Sequence, residues 1–110
     1  AEAGGTMLFV SGLTARLADG TVACLGDPAG QTRIILSALR DILREAGGEL
    51  TDVVRTVTYL MDINDHSAVH VVRREFFGEQ PPASTTVQVT RLFDERQLLE
   101  IEATAIIPAG

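Results

Sequence analysis

Two pairs of side chains have the residue types and the spacing that proton transfer requires, and the first is a pair of glutamates. Glu100 and Glu102 are two positions apart in an apolar segment, so in a β-strand both carboxyl groups leave the same face. If that face is buried, repulsion between the charges keeps a proton on one of them, which makes that group a usable proton relay. The alternative is a structural ion pair with Arg55 or Arg91, and the sequence leaves both interpretations open.

The second pair is His66 and His70, which are four residues apart and therefore share one face of a helix. Imidazole groups change charge near neutral pH, so these two could act as acid, base or hydrogen-bond donors. The alternative is a surface pair near the start of a helix. No metal site and no cofactor are expected, because a third ligand and a His-Glu zinc motif are both absent.

Composition narrows the class of protein. The chain has 110 residues, of which 45% are apolar, and this predicts a single domain spanning 1–110. All nine basic residues are arginines, which excludes a lysine Schiff base. The net charge of −6 argues against nucleic-acid binding, and the Arg73-Arg74 doublet is expected on a solvated helix face. The helical period alone also allows either Val72 or Arg73 on the side of the second helix that carries Val69 and Phe76. No apolar stretch reaches membrane-spanning length, so no membrane partner and a cytoplasmic location are expected.

The single cysteine, Cys24, lies in an apolar run and is expected to be a buried, inert thiol.

Hydrophobic periodicity and turn signals predict the element order β-β-α-β-α-β-β. The predicted strands are 7–11, 22–25 and 52–61, with two more within 82–92 and 99–103, and the predicted helices are 29–46 and 66–77. The Asp19-Gly20 pair predicts a tight hairpin turn between the first two strands. In the first helix, Ile35, Leu39, Ile42 and Ala46 form the predicted buried stripe, and Gln31 faces away from it.

This order predicts an α+β fold, a mixed β-sheet with two helices on one face, because two helices can cover only one side of such a sheet. The other face carries threonine, valine, glutamine and tyrosine by alternation. That surface is too apolar to stay in water and too polar for the core of a monomer. It therefore predicts burial against other copies of the chain.

Short segments with a characteristic order and spacing run through nearly the whole chain. They are Phe9-Val10-Ser11-Gly12, Gly26-Asp27, Asp52-Val53-Val54-Arg55-Thr56, Asp62-Ile63-Asn64-Asp65, Pro82-Ala83 and Glu100-Ile101-Glu102-Ala103. Together they resemble the YjgF/RidA family of reactive-intermediate deaminases, which is also called endoribonuclease L-PSP. The resemblance implies a chorismate-mutase-like fold and a homotrimer with small-molecule clefts between its subunits.

The resemblance also implies which residues line the cleft. Glu100 occupies the position of the family carboxyl group that orients a water molecule or relays a proton, and Gly12 ends a strand beside the pocket. Ser84 stands where the family has an arginine that grips the substrate carboxylate. Thr86 stands where many members have cysteine, and His66 and His70 stand at pocket positions that are usually phenylalanine and asparagine.

The function implied by this resemblance is hydrolysis of a small enamine-like or imine-like metabolite, with Glu100 as the catalytic residue. Ser84 lacks the two-pronged charged donor of an arginine, so the substrate is not expected to be the usual 2-imino acid. The alternative is a non-catalytic trimer that binds or senses a small molecule. Endoribonuclease activity is a third candidate, and the acidic charge counts against it.

Overall fold

The computed structural model describes residues 5–109, so the ends of the predicted single domain, residues 1–4 and 110, lie outside the described residues. The regular elements are β1 (Thr6–Leu13), α1 (Pro28–Glu45), β2 (Val53–Leu60), α2 (His66–Phe77), β3 (Ala83–Gln88) and β4 (Leu99–Ile107). Single turns of 3₁₀-helix at Leu50–Asp52 and Ile63–Asp65 lead into β2 and α2. Within the described residues, no helix combines the length and apolar character needed to cross a membrane.

The four strands form one mixed sheet in the order β1-β4-β2-β3. The strand β4 is antiparallel to both of its neighbours, whereas β2 and β3 are parallel and are connected through α2. The helices pack against each other and against the sheet. The predicted α+β class, a mixed sheet with two helices on one face, is confirmed.

The core lies between the helices and one face of the sheet. Alternate residues of β4 point into it, and they meet a stripe of fully buried side chains on α1: Ile35, Leu36, Leu39 and Leu43. The predicted stripe was therefore wrong in half of its members, because Ile42 and Ala46 are exposed. Apolar residues of α1 occupy more than one stripe, and packing in the tertiary structure decided which of them is buried.

The predicted second strand, 22–25, is wrong as a strand. An isolated antiparallel bridge between Arg16 and Val22 forms there instead of a strand, around a turn in which Gly20 has a φ of 89°. The extended run ends at Cys24, whose φ of 54° is in the left-handed region. Cys24 is also exposed, which contradicts the expected buried thiol. The observed order of regular elements is β-α-β-α-β-β.

The face of the sheet opposite the helices is open and partly apolar. Its exposed apolar side chains are Met7, Phe9, Val87 and Ile106. Phe9 is 73% exposed although it lies in the middle of β1. The open face is partly apolar, as predicted. The glutamine that was expected on this face, Gln88, lies instead on the helix side, where its Oε1 accepts a hydrogen bond of 2.8 Å from the Ile63 amide.

Gln31 is fully buried, so its predicted outward orientation was wrong. Its Nε2 donates to the carbonyl oxygens of Cys24 at 3.3 Å and Arg96 at 3.1 Å. Its Oε1 accepts from the amide of Leu98 at 2.9 Å. Buried amide groups in proteins are nearly always hydrogen-bonded, and here one side chain bonds to backbone groups of two loops that are distant in sequence.

We predict that Gln31→Ala lowers the free energy of unfolding by about 3 kcal/mol, because it leaves buried backbone groups of both loops without partners. Urea denaturation measures this difference. The control is Gln80→Ala, which changes an exposed glutamine and is expected to alter stability by less than about 0.5 kcal/mol. Equal stability of the two variants would contradict the role assigned to Gln31.

Candidate functional site

Glu100 and Gly12 lie against each other at the point where β1 loses its regular register with β4. The register shifts between Val10 and Leu13, so Gly12 is part of an irregular stretch. A Cβ atom at position 12 would overlap the Glu100 carboxylate and its Cγ atom. Glycine is therefore required for this close approach. The structure thus brings together two of the residues that the sequence analysis singled out.

The second glutamate, Glu102, has a partner. The hydroxyl of Tyr59 donates to Glu102 Oε1 at 2.5 Å, and this bond raises the pKa of Tyr59, as do partial burial and the negative charge of Glu102. Within residues 5–109, neither Glu100 nor Glu102 forms an ion pair with Arg55 or Arg91, the alternative considered from the sequence. The two glutamates therefore differ: Glu102 is hydrogen-bonded to Tyr59 of the neighbouring strand, whereas Glu100 has no ion-pair partner among the described residues.

A cavity of about 150 Å³ lies between α2 and the start of β3. Its lining residues are His70, Arg73, Arg74, Pro81, Pro82 and Ser84. Two predicted site residues, His70 and Ser84, therefore line the same cavity as Arg73, which was expected on a solvated helix face. Arg73 is only 7% exposed, so that expectation was wrong. The available signal was its position three residues after His70 and four after the buried Val69, on the inward side of α2.

The predicted site residues His66 and Thr86 lie next to residues that line this cavity. The rings of His66 and His70 are stacked, with centroids 6.0 Å apart and planes at 15°. Thr86 is two residues after Ser84 on β3, so both side chains lie on the helix side of the sheet. Neither His66 nor Thr86 lines the cavity.

The predicted site residues thus form two groups, and a single chain does not bring them together. Glu100 pairs in register with Tyr59 and points to the open face. Ser84 pairs in register with Thr56 and points to the helix side. The strand β2 lies between them. A ligand that contacts both groups must therefore lie between two copies of the chain.

A larger cavity, of about 410 Å³, lies between the turn 50–53 and the end of α2. It holds none of the predicted site residues, and Glu79 is its one ionisable side chain. We therefore place the candidate site at the two groups described above rather than at this larger cavity. Among the described residues, no group of three or more histidine, cysteine, aspartate or glutamate side chains is arranged to hold a metal ion.

A mixed four-stranded sheet with two helices on one face defines an α+β domain. The family model described as "Endoribonuclease L-PSP" matches residues 2–107. The chain belongs to this family, the YjgF/RidA family.

Relatives support the assignment over most of the chain. A RutC family protein of Pyrococcus abyssi is 38% identical over 101 residues, which are 92% of this chain and 79% of the relative. The 3-aminoacrylate deaminase RutC of Acinetobacter baylyi is 37% identical over 99 residues, which are 90% and 78% of the two chains. The crystal structure of the YjgF gene product of E. coli superposes with a TM-score of 0.82 at 32% identity, covering 96% of this chain and 84% of that one.

We predict that Tyr59 ionises above its ordinary pKa of about 10, because the phenolate would lose its bond to Glu102 and face that negative charge. Tyr59 is the only tyrosine and the chain has no tryptophan, so ultraviolet absorbance reports its titration alone. Glu102→Gln removes the charge and is expected to move the midpoint back towards the ordinary value. A wild-type midpoint at or below the ordinary value would contradict this assignment.

Proposed function

We propose that this protein is a hydrolase of small enamine-like or imine-like metabolites, with its active sites between the subunits of a homotrimer. The observation that carries the proposal is the Glu100 carboxylate, which lies against Gly12 and has no ion-pair partner among the described residues. A carboxylate in that state is available to a ligand. The 37% identity to a 3-aminoacrylate deaminase supports the same reaction class.

The chemistry requires one group that moves a proton. In imine hydrolysis, water attacks the imine carbon, a proton moves from the water to the nitrogen, and the resulting carbinolamine releases ammonia and leaves a carbonyl group. Glu100 would accept the proton of the attacking water and return it to the departing nitrogen. An enamine enters the same sequence after a proton shifts to its carbon, which the same carboxyl group can deliver.

Association between copies of the chain is supported by two features of the fold, and the number of three subunits follows from the family resemblance. First, Glu100 and Ser84 lie on opposite faces of the sheet, so a second copy must supply the missing half of each site. Second, the open face exposes large apolar side chains, Phe9 above all, which association would remove from water. Altered specificity follows from Ser84, which presents a neutral hydroxyl where relatives are expected to carry an arginine.

We predict that Glu100→Gln lowers kcat about 100-fold or more, because the amide keeps the shape but cannot accept the proton. The assay measures ammonia release from a 2-imino acid and from 3-aminoacrylate, each generated in situ. The matched control is Glu102→Gln on the same strand and face, expected to retain activity within a few-fold. Equal losses in both variants would mean that Glu100 has no special role.

A second candidate function, ligand binding without turnover, is favoured by the replacement of the expected arginine by Ser84. It predicts that the wild type binds a small molecule but hydrolyses neither substrate above the uncatalysed rate. Endoribonuclease activity is not supported, because the net charge of −6 offers no electrostatic attraction for RNA.

We predict that Phe9→Asp dissociates the trimer, because it places a charge on the sheet face that is proposed to be buried between subunits. Analytical ultracentrifugation should show three chains per particle for the wild type and one for the variant. The control is Phe93→Asp, which alters a loop phenylalanine that is 84% exposed and lies outside the sheet, and which should leave the trimer intact. A monomeric wild type would refute the trimer.

A further inference from the structure

Arg73 is a buried cation without a carboxylate partner among the described residues. Its Nη2 donates to the hydroxyl of Thr56 at 3.2 Å, and its Nε is buried with no hydrogen-bond partner in that part of the chain. Burial lowers the pKa of this guanidinium because the charged form is poorly solvated there. An arginine keeps its charge under such conditions, so the structure holds a positive charge that its own described residues do not neutralise.

The carboxylates nearest to Arg73 in sequence are paired elsewhere. Glu75 binds Arg33 of α1 at 3.0 Å, and Glu79 approaches Arg74 at 3.8 Å. Both pairs lie at the surface, where water also solvates the charges. A buried arginine without a partner is costly, and an apolar residue of similar size is often more stable at such a position. Its presence therefore points to an external anion.

The surroundings of Arg73 form a set of hydrogen-bond donors around one space. The hydroxyl that Arg73 contacts belongs to Thr56, which is the register partner of Ser84. Arg73, Ser84 and His70 line the same cavity of about 150 Å³. A guanidinium, a hydroxyl and an imidazole are the donors that bind a carboxylate, and the guanidinium provides the charge-assisted bonds. The small side chain of Ser84 leaves space for that carboxylate.

We propose that Arg73 is the anion-binding residue of this cavity and that the substrate carries a carboxylate, which Arg73 binds from α2 with the help of the Ser84 hydroxyl. This inference rests on the proposed function, since it assigns the ligand class of the same site. The positive charge expected at position 84 on β3 is thus supplied from the neighbouring helix. The substrate therefore still carries a carboxylate. Because the guanidinium that binds it lies on α2 rather than on β3, the carboxylate lies at a different position relative to the reacting carbon.

The test is binding of carbonyl products with and without the negative charge. The probes are 2-oxobutyrate and 3-oxobutyrate, compared with the neutral amides 2-oxobutyramide and 3-oxobutyramide, and NMR titration gives the dissociation constants. In the wild type at least one acid is expected to bind about tenfold or more tightly than its amide. Arg73→Met should abolish that preference, and the control Arg44→Gln, at an exposed arginine outside the cavity, should keep it.

Equal affinity for acid and amide in the wild type, or an acid preference that survives in Arg73→Met, overturns the proposal. If Arg73→Met does not fold, the Nε–H resonance of Arg73 in the wild type decides instead. Its assignment comes from its loss in Arg73→Lys. A shift of that resonance with 2-oxobutyrate or 3-oxobutyrate, but not with the amides, supports the proposal, and the absence of a shift overturns it.

Turnover separates this inference from the proposed function. An Arg73-dependent acid preference without any hydrolysis supports the binding assignment and refutes the hydrolase. Hydrolysis that is independent of Arg73 and indifferent to the carboxylate supports the hydrolase and overturns the binding assignment.

Discussion

The rest of the structure depends on one constraint: two helices cover only one face of the four-stranded sheet. Alternation along β4 then places Ile101 and its apolar neighbours under the helices and places Glu100 and Glu102 on the other face. The same alternation on β3 turns Ser84 towards the helices. The two groups of candidate residues are therefore separated by the sheet itself, and a site that uses both must be shared between chains.

Unpaired charges mark both halves of the candidate site. On the open face, the Glu100 carboxylate lies against Gly12 and has no ion pair among the described residues, whereas Glu102 is held by Tyr59. On the helix side, the guanidinium of the buried Arg73 forms one side-chain hydrogen bond among the described residues, to the hydroxyl of Thr56. Ordinary structural charges are paired or solvated, as Glu75 and Arg33 are. The two halves of the candidate site therefore carry side chains of opposite charge type, a carboxyl group on one and a guanidinium on the other.

The sequence predicted both helices to within one residue at each end, but it predicted the strands less well: β4 runs from Leu99 to Ile107 and was expected only over 99–103. Helix α2 begins and ends at the predicted residues: the 3₁₀ turn capped by Asp62 leads into it, and Gly78 with a positive φ ends it. The strand expected at 22–25 fails because Cys24 adopts a left-handed conformation that no local pattern reveals. Gln31 was placed outward because polar residues usually are, and its three hydrogen bonds are to loops distant in sequence.

The sequence by itself determined the family, the α+β class and the residues at the expected pocket positions, because local periodicity and motif order are properties of the chain alone. Only the tertiary structure decided that Gly12 and Glu100 touch, that the two groups of candidate residues face opposite ways, and that Arg73 is buried. The physical reason is that burial and partnership are relations between distant segments. The spacing of Arg73 from Val69 allows an inward position on α2, but only the packing of α2 against the sheet shows that the guanidinium is buried.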